Sequence, residues 1–167
     1  MWGEIMGKFE KTPSQKKVVR LLLERGFRID AEGRISSGNI RIPHSQVAKE
    51  AGVDRRVVDM TVKAIMADDT LRRMFENLRS VPLLDNIAPL LNLGVVIIYP
   101  KDARDKGILS EVTTVISKHR LSIRQAVSDD PYFVEEPKLT IIIDGQVPGR
   151  LIEELRRTKG VKSVQVL

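Results

Sequence analysis

Two adjoining segments decide the fold of the C-terminal half: Gly94-Val95-Val96-Ile97-Ile98-Tyr99 and, after a charged loop, Gly107-Ile108-Leu109-Ser110-Glu111-Val112. The first is a continuous apolar run, too short for a helix and rich in β-branched residues, so it predicts a buried strand. After Gly107 the period changes, because apolar side chains recur on one face of a helix that continues to His119. The helical face comprises Ile108, Leu109, Val112, Val115, Ile116 and His119.

The segments that follow repeat this order. Residues 121–128 alternate apolar and polar side chains, which predicts a half-buried strand with Ile123 and Val127 on one face. Residues 139–144 alternate in the same way, residues 149–158 have a helical pattern, and residues 160–166 form a last strand. Strand, helix, strand, strand, helix, strand predicts a ferredoxin-like βαββαβ unit, in which two helices cover one face of a four-stranded sheet. Such a fold by itself determines no function.

The same segments resemble a known family. Residues 107–112, 121–123 and 160–164, in this order, resemble an ACT domain, a module that senses small molecules in metabolic enzymes and regulators. Together with the helical region before it, the chain resembles archaeal proteins described as ACT-containing regulators of amino-acid metabolism. The resemblance implies an effector, usually an amino acid, bound at the interface of a homodimer or a higher homo-oligomer.

Composition excludes several classes of protein. The 167 residues include no cysteine, so disulfides and thiolate chemistry are excluded, and the two histidines, His44 and His119, share no ligand spacing. We therefore expect no metal and no cofactor. The N-terminus has an early acid and no apolar core region, and no apolar run approaches the ~20 residues of a membrane span, so we expect a cytoplasmic protein without membrane association. The net charge of +6 permits nucleic-acid binding without requiring it.

The N-terminal half has the pattern of a winged helix-turn-helix. A helix opened by Pro13 ends at Gly26, and short strand-like pieces follow within residues 27–42, where Arg28, Arg34 and Arg41 could be carried on a wing. Residues 43–58 resemble a helix-turn-helix, with a small residue at Ala48 for close helix crossing and glycine at the turn. The predicted architecture is thus α+β, a mainly helical helix-turn-helix-like domain followed by the ferredoxin-like one.

The second helix of this motif would carry the DNA contacts. It should run from its N-cap, Asp54, to about Met66, with four residues facing outward. In a DNA-binding protein such residues reach base edges and phosphates. They are Arg55, Arg56, Asp59 and Lys63. A helical dimerisation or partner-docking domain is the alternative interpretation, because the same small-residue pattern occurs in ordinary helix pairs and Asp54 and Asp59 weaken the positive field.

The domain boundaries follow from the pattern of apolar and turn-forming residues. Residues 68–70 should cap a further helix over Leu71–Leu78, so the first domain covers residues 1–79. Residues 80–92 contain Pro82 and Pro89 around an apolar segment and are interpreted as a linker that packs on one or both domains. The ACT-like domain for ligand sensing and dimerisation then covers residues 93–167.

The loop before the helix at Gly107 is the predicted effector site. Residues 99–107 carry basic and acidic side chains ahead of a helix N-terminus, which favours an anion. The ACT resemblance implies side-chain contacts from Asp102 and Arg104. It also implies backbone contacts at the helix start and contributions from the second strand of the partner subunit. These positions are Lys106, Gly107, Ile108 and Leu109, and Ser122 and Ile123 of the partner subunit.

The effector loop departs from the common ACT pattern. The family frequently has Asp or Asn three residues before the glycine and Pro directly before it, whereas this chain has Arg104 and Lys106. These basic residues would favour a more anionic effector, such as a phosphorylated metabolite or a dicarboxylate. The alternative interpretation is a solvated charged loop without a ligand.

Two further expectations concern exposed surfaces. Both faces of the predicted sheet are apolar, because Val95 and Ile97 alternate with Val96 and Ile98, and helices cover only one face. An exposed apolar face would be unusual for a monomer, which predicts self-association, most simply as a twofold dimer. The acidic segment Ser128 to Lys138 is interpreted as a solvent-exposed hairpin loop.

The combined patterns predict a non-enzymatic metabolic regulator that responds to a ligand. If the first domain binds DNA, this protein is a transcriptional regulator. The alternative is a non-catalytic regulatory subunit that docks on a biosynthetic enzyme for feedback control. Catalysis by this chain is disfavoured because it has no phosphate-binding glycine loop, nucleophile motif or metal cluster.

Overall fold

The computed structural model describes the backbone of residues 2–132 and 134–167, and the side chains of residues 5–132 and 134–167. Contacts divide the chain into two compact units, Met1–Pro82 and Leu83–Leu167. Each unit has its own apolar core. The predicted α+β class, with a helical first unit and a ferredoxin-like second unit, is confirmed.

The first unit is a set of helices interrupted by a small antiparallel sheet. In chain order its elements are α1 (Trp2–Lys8), α2 (Pro13–Arg25), β1 (Arg28–Ile29), β2 (Ile35–Ser37), β3 (Ile40–Ile42), α3 (His44–Ala51), α4 (Arg55–Ala67) and α5 (Asp69–Glu76). The sequence patterns missed α1, whose Ile5 is buried in the core. The last helix was predicted to reach Leu78 but ends at Glu76, where Asn77 caps it and donates its side-chain N–H to the carbonyl of Arg73.

The second unit has the strand order of a ferredoxin-like fold. Its elements are β4 (Leu93–Pro100), α6 (Ile108–Lys118), β5 (Ile123–Ser128), β6 (Leu139–Asp144), α7 (Gly149–Arg157) and β7 (Val161–Val166), after a short 3-10 helix over Ala88–Leu91. The strands are antiparallel in the order β5-β6-β4-β7. Both central strands are therefore buried, while β5 and β7 form the edges.

The second face of this sheet is covered by the chain itself, which corrects the sequence-based argument for self-association. Val95, Ile97 and Ile142 on this face are buried and pack against Ala88 of the 3-10 helix and Leu84 before it. The N–H of Leu84 also donates to Oε1 of Gln125 at 3.0 Å, which fastens the segment to strand β5. An exposed apolar sheet face therefore provides no reason for a dimer.

A β-bulge in β5 changes the predicted alternation. Ile123 pairs with Ile143 and Gln125 pairs with the next residue, Ile142, so strand β5 has one extra residue at Arg124. After this bulge Val127 pairs with Thr140, which lies on the opposite face from Ile143. Ile123 and Val127 therefore lie on opposite faces, not on one face as the alternation predicted.

Candidate functional site

Helices α3 and α4 are joined by the tight turn that a helix-turn-helix requires. Gly52 ends α3 in the left-handed conformation, with φ 63°. The N–H of Val53 then donates to the carbonyl of Ala48 at 3.0 Å, which closes the turn. Asp54 caps α4, because its carboxylate accepts the N–H of Arg56 at 2.8 Å. The turn therefore determines where the first residues of α4 lie.

Helix α4 has one apolar face and one polar face. Val58, Val62 and Ile65 are buried in the core of the first unit. Arg55, Arg56 and Lys63, three of the residues proposed to contact DNA, are exposed, and Asp59 is partly buried. Met60 is also exposed on this helix and was absent from the predicted set. The structure thus places all four proposed DNA-contacting residues away from the core.

Asp59 is held by two neighbours. Nδ1 of His44 lies 2.6 Å from Oδ1 of Asp59, and Nε of Arg55 lies 3.8 Å from Oδ2. The hydrogen bond from His44, with help from Arg55 and Lys63 nearby, holds the pKa of the Asp59 carboxyl below its usual value. Asp59 therefore neutralises part of the positive charge that Arg55 contributes to this face.

The small sheet of the first unit is amphipathic. Ile29, Ile35 and Ile42 are register partners across its three strands, and Ile29 and Ile35 are fully buried. Arg28, Ser36 and Arg41 are the neighbouring register partners, so they share the face that points away from the core. The hairpin between β2 and β3 turns at Gly38, with φ 56°. The predicted wing is present and carries the three arginines Arg28, Arg34 and Arg41.

A crevice joins the hairpin to the helix pair. It has a volume of about 550 Å³ and is lined by Arg34 and Arg41 of the hairpin region, by His44, and by Arg55 and Asp59 of α4. Three arginines of the first unit thus face one crevice whose acidic side chains are Glu32 and Asp59. We name this surface the basic crevice. Glu32 and Asp59 are already paired, with Arg34 and with His44 and Arg55 respectively.

The second unit has a cleft at the end of the sheet where strand β4 leaves it. The cleft is about 750 Å³ and is formed by the loop after β4, the loop between β5 and β6, and the start of β7. Its lining includes Tyr99, Lys101, Asp102, Arg104, Tyr132, Glu135, Glu136, Lys162 and Ser163. We name it the loop cleft. The acidic segment between β5 and β6, interpreted from sequence as a solvent-exposed loop, is one of its walls.

A β-bulge shapes the opposite wall of the loop cleft. Tyr99 pairs with Ser163 and the next residue, Pro100, pairs with Val161, so Lys162 is the extra residue of β7. Bulges re-aim side chains and occur frequently beside functional sites. Lys162 and Lys101 therefore lie on adjoining chain segments, since the N–H of Lys101 donates to the carbonyl of Gly160 at 2.8 Å. Sequence periodicity contained no signal for this bulge.

The charges in the loop cleft fall into two groups. Arg104 and Asp102 form a bidentate ion pair, in which Nε of Arg104 donates to Oδ1 of Asp102 at 3.0 Å and Nη2 donates to Oδ2 at 2.9 Å. This pairing, together with the backbone N–H of Arg104, holds the pKa of the Asp102 carboxyl below its usual value. The remaining charged side chains of the lining form no ion pair among the described residues; they are Lys101, Lys162, Glu135 and Glu136.

The other residues of the predicted effector site lie elsewhere. Lys106, Gly107, Ile108 and Leu109 form the start of α6 and are absent from the lining of the loop cleft. Ser122 is exposed, and Ile123 borders a shallow depression beside α6 with Thr113 and Leu121. Within one chain the structure therefore brings only Asp102 and Arg104 of the predicted set into the loop cleft.

The described residues contain neither a membrane-spanning helix nor a cluster of metal-ligating side chains. Within residues 2–132 and 134–167, every helix is too short or too polar to span a bilayer. Across the same part of the chain, His, Asp and Glu side chains form no group of three or more arranged as metal ligands.

Comparison with known proteins gave similarity in structure alone. No protein-family model and no curated protein matches the sequence. The ACT domain of a GTP pyrophosphokinase of Chlorobium tepidum is 24% identical, with 45% of this chain and 95% of that chain covered and a TM-score of 0.34. A leucine response regulatory protein of Mycobacterium tuberculosis is 16% identical, covering 92% of this chain and 88% of its own, with a TM-score of 0.31.

An AsnC family transcriptional regulator of Agrobacterium tumefaciens is similar over the same length. It is 14% identical, with 92% of this chain and 86% of that chain covered, and its TM-score is 0.31. The fold of this chain is therefore established by its own strand order and register, and the three likenesses carry no functional assignment.

Proposed function

We propose that this chain is a ligand-responsive transcriptional regulator, in which the first unit binds duplex DNA and the second binds a small metabolite. The observation that carries the proposal is the basic crevice, where Arg34 and Arg41 of the hairpin and Arg55 of α4 face the same space. Such an arrangement suits a helix entering the major groove while the hairpin contacts the adjacent phosphates. In this proposal Arg55 and Arg56 reach base edges or phosphates, and Lys63 contacts the backbone.

The effector is proposed to bind in the loop cleft. Lys101 and Lys162 at one wall suit a carboxylate or a phosphate, while Glu135 and Glu136 at the other suit an ammonium group. Because Arg104 is already paired with Asp102, it serves to position the loop and offers only its remaining N–H groups to a ligand. An amino acid, or another small anionic metabolite of amino-acid metabolism, has this chemistry.

We propose a homodimer as the functional form, on grounds that differ from the sequence argument. Paired recognition helices fit half-sites about 34 Å apart, so DNA binding benefits from a second copy. The ACT resemblance implies a different location for the effector in such a dimer, at the start of α6 with Ser122 and Ile123 of the partner subunit, and this location is the alternative to the loop cleft. The buried second sheet face makes no contribution to this proposal.

Duplex binding tests the DNA part. A fluorescent duplex of random sequence is titrated with protein at several salt concentrations, followed by anisotropy. We expect affinity to fall steeply with salt, and the double change Arg55→Ala with Arg56→Ala to weaken it at least about tenfold. The matched control, Arg156→Ala with Arg157→Ala, removes the same charge from α7. Equal losses in both variants, or co-purification of an enzyme without DNA affinity, would favour the regulatory-subunit alternative.

Thermal melting tests the effector part. The protein is melted with amino acids, keto acids and phosphorylated sugars, together with the variants Lys162→Gln and Lys118→Gln. Selective stabilisation by one class, reduced in the Lys162 variant and kept in the exposed Lys118 control, supports the loop cleft. A ligand whose effect is insensitive to Lys162 and Glu135→Gln binds outside the cleft and contradicts the assignment.

A further inference from the structure

The outward face of the hairpin sheet carries a row of three donors. Arg28 of β1, Ser36 of β2 and Arg41 of β3 are consecutive register partners, so their side chains lie side by side on one face. Ser36 occupies the middle of the row and is only 6% exposed, although this face points away from the apolar core. A small depression of about 270 Å³ lies over the row.

The hydrogen bonds leave the row with donors to spare. Nε of Arg28 donates to Oγ of Ser36 at 3.1 Å, which fixes the half-buried arginine and leaves the terminal nitrogens of its guanidinium available. Since Oγ is the acceptor in this bond, the hydroxyl hydrogen of Ser36 can donate to another group. Arg41 has no ion pair or side-chain hydrogen bond among the described residues.

The acidic residue that lines the depression, Asp30, is already paired with Arg34. Asp30 accepts the side chain of Arg34 at 2.7 Å and the backbone N–H of Arg34 at 2.9 Å. Burial acts to raise the pKa of Asp30, but these hydrogen bonds outweigh it, and the pKa lies below its usual value. Asp30 is thus ionised, and its negative charge is balanced by Arg34. The positive charges of Arg28 and Arg41 therefore have no acidic partner in the lining of the depression.

We propose that this row is a phosphate-binding site, with the hydroxyl of Ser36 at its centre and the guanidinium groups of Arg28 and Arg41 on either side. Two guanidinium groups around a hydroxyl match the tetrahedral arrangement of acceptors on a phosphate group. If the ligand of this site is a backbone phosphate of the duplex bound by α4, the inference rests on the proposed function. A free phosphorylated compound has the same chemistry, and the experiment separates the two sources.

The position of the site favours a backbone phosphate. Arg41 lines both the depression and the basic crevice, so the row continues the surface on which Arg55 lies. A phosphate bound here would fix the register of the first unit on a duplex without reading sequence. Neither charge counting nor the helix-turn-helix pattern identifies this role, because it depends on the strand register that aligns the three residues.

The experiment compares Arg41→Gln and Ser36→Ala with Lys11→Gln, an exposed charge-matched control between α1 and α2. Duplex affinity is measured by anisotropy across a salt series. We expect Arg41→Gln to weaken binding about fivefold at every sequence and to reduce the slope of log affinity against log salt by about one. Ser36→Ala, which removes no charge, should weaken binding while leaving the slope unchanged.

Inorganic phosphate provides the second arm. The protein without DNA is melted in phosphate and in chloride at equal ionic strength. Stabilisation by phosphate that is lost in Arg41→Gln and Ser36→Ala, and retained in Lys11→Gln, supports the site. Suppose that Arg55→Ala weakens duplex binding but Arg41→Gln does not. If Arg41→Gln then abolishes the stabilisation by inorganic phosphate, the occupant of the site is free phosphate. If Arg41→Gln leaves that stabilisation unchanged as well, the site is refuted and the proposed function stands. A wild-type protein that does not bind duplex refutes the proposed function, and the phosphate arm then decides this site alone.

Discussion

His44, the first residue of α3, donates from Nδ1 to Oδ1 of Asp59 in the second turn of α4 at 2.6 Å. This hydrogen bond links the two helices of the helix-turn-helix beside the exposed residues of α4. The other oxygen of the Asp59 carboxylate, Oδ2, lies 3.8 Å from Nε of Arg55. One interaction thus connects the stability of the helix pair with the charge presented to DNA.

Asp59→Asn should remove part of the acid sensitivity of the first unit. The pKa of Asp59 is lowered in the folded protein, so its stabilising contribution is present above the unfolded value of about 3.9 and is lost as the pH falls through the folded pKa. Its side chain is 38% exposed, so solvent screening limits the contribution to less than about 1 kcal/mol. Urea denaturation from pH 6 to pH 2.5 should show wild type and variant converging below pH 4. A constant difference over this range would contradict the assignment.

The same substitution should strengthen DNA binding. Asp59 is the acid on the outward face of α4, and neutralising it leaves Arg55 without an opposing charge. We expect duplex affinity to rise about threefold at moderate salt, because one repulsive charge near the phosphates is removed. Glu10→Gln, an exposed acid before α2, is the charge-matched control. Weaker binding by the Asp59 variant would show that the bond with His44 positions the helix more than its charge opposes DNA.

Two helix-ending glycines should respond very differently to alanine. Gly52 and Gly26 both have left-handed backbones, with φ 63° and 64°. A Cβ at Gly52 meets no atom within 4 Å, so Gly52→Ala should cost only the conformational strain of about 1 kcal/mol. A Cβ at Gly26 would lie 2.5 Å from the carbonyl oxygen of Arg79, a backbone atom.

Gly26→Ala must therefore move the chain at residues 79–80, which also supplies the hydroxyl of Ser80 to the carbonyl of Arg25 at 2.7 Å. We expect a loss of about 3 kcal/mol or more, from strain and steric overlap together. Urea denaturation followed by circular dichroism measures both variants. Equal costs for the two substitutions would show that residues 79–80 yield easily.

The sequence was sufficient for the elements whose patterns are local. The apolar run at residues 94–99, the helical face after Gly107, and the turn at Gly52 each correspond to an element of the structure. Helix α1 was missed because its buried Ile5 and the buried Phe9 just after its end are too few to establish a period. The reversal of Ile123 and Val127 was missed because a bulge is a property of strand pairing.

The two surfaces that matter most depend on contacts between distant residues. Glu135 and Lys162 line one cleft although they lie on different loops, and no periodicity brings them together. The row of Arg28, Ser36 and Arg41 exists only through the register of three short strands. The apolar residues around Ala88 led us to expect that this segment packs on a domain, but they did not identify the second sheet face as the surface it covers, since they have no regular spacing.

The covering segment allows a direct test of why the second sheet face is buried. Ala88 is 0% exposed against Val95, Ile97 and Ile142, whereas Leu90 in the same 3-10 helix is 82% exposed. Ala88→Asp places an unpaired carboxylate against this apolar face, which should destabilise the second unit by about 2–4 kcal/mol. Leu90→Asp, with the same charge two residues away, should change stability by less than about 0.5 kcal/mol.

Detachment of the segment has a second consequence. It exposes Val95, Ile97 and Ile142 together, an apolar patch of the kind that drives association. We therefore expect Ala88→Asp to bind a hydrophobic dye and to form larger assemblies in light scattering, while Leu90→Asp keeps the wild-type mass. A change of oligomeric state in Leu90→Asp but not in Ala88→Asp would contradict this expectation. It would show that the exposed surface of the segment, which carries Leu90, forms the contact between copies, and that Ala88 is not required to cover the sheet.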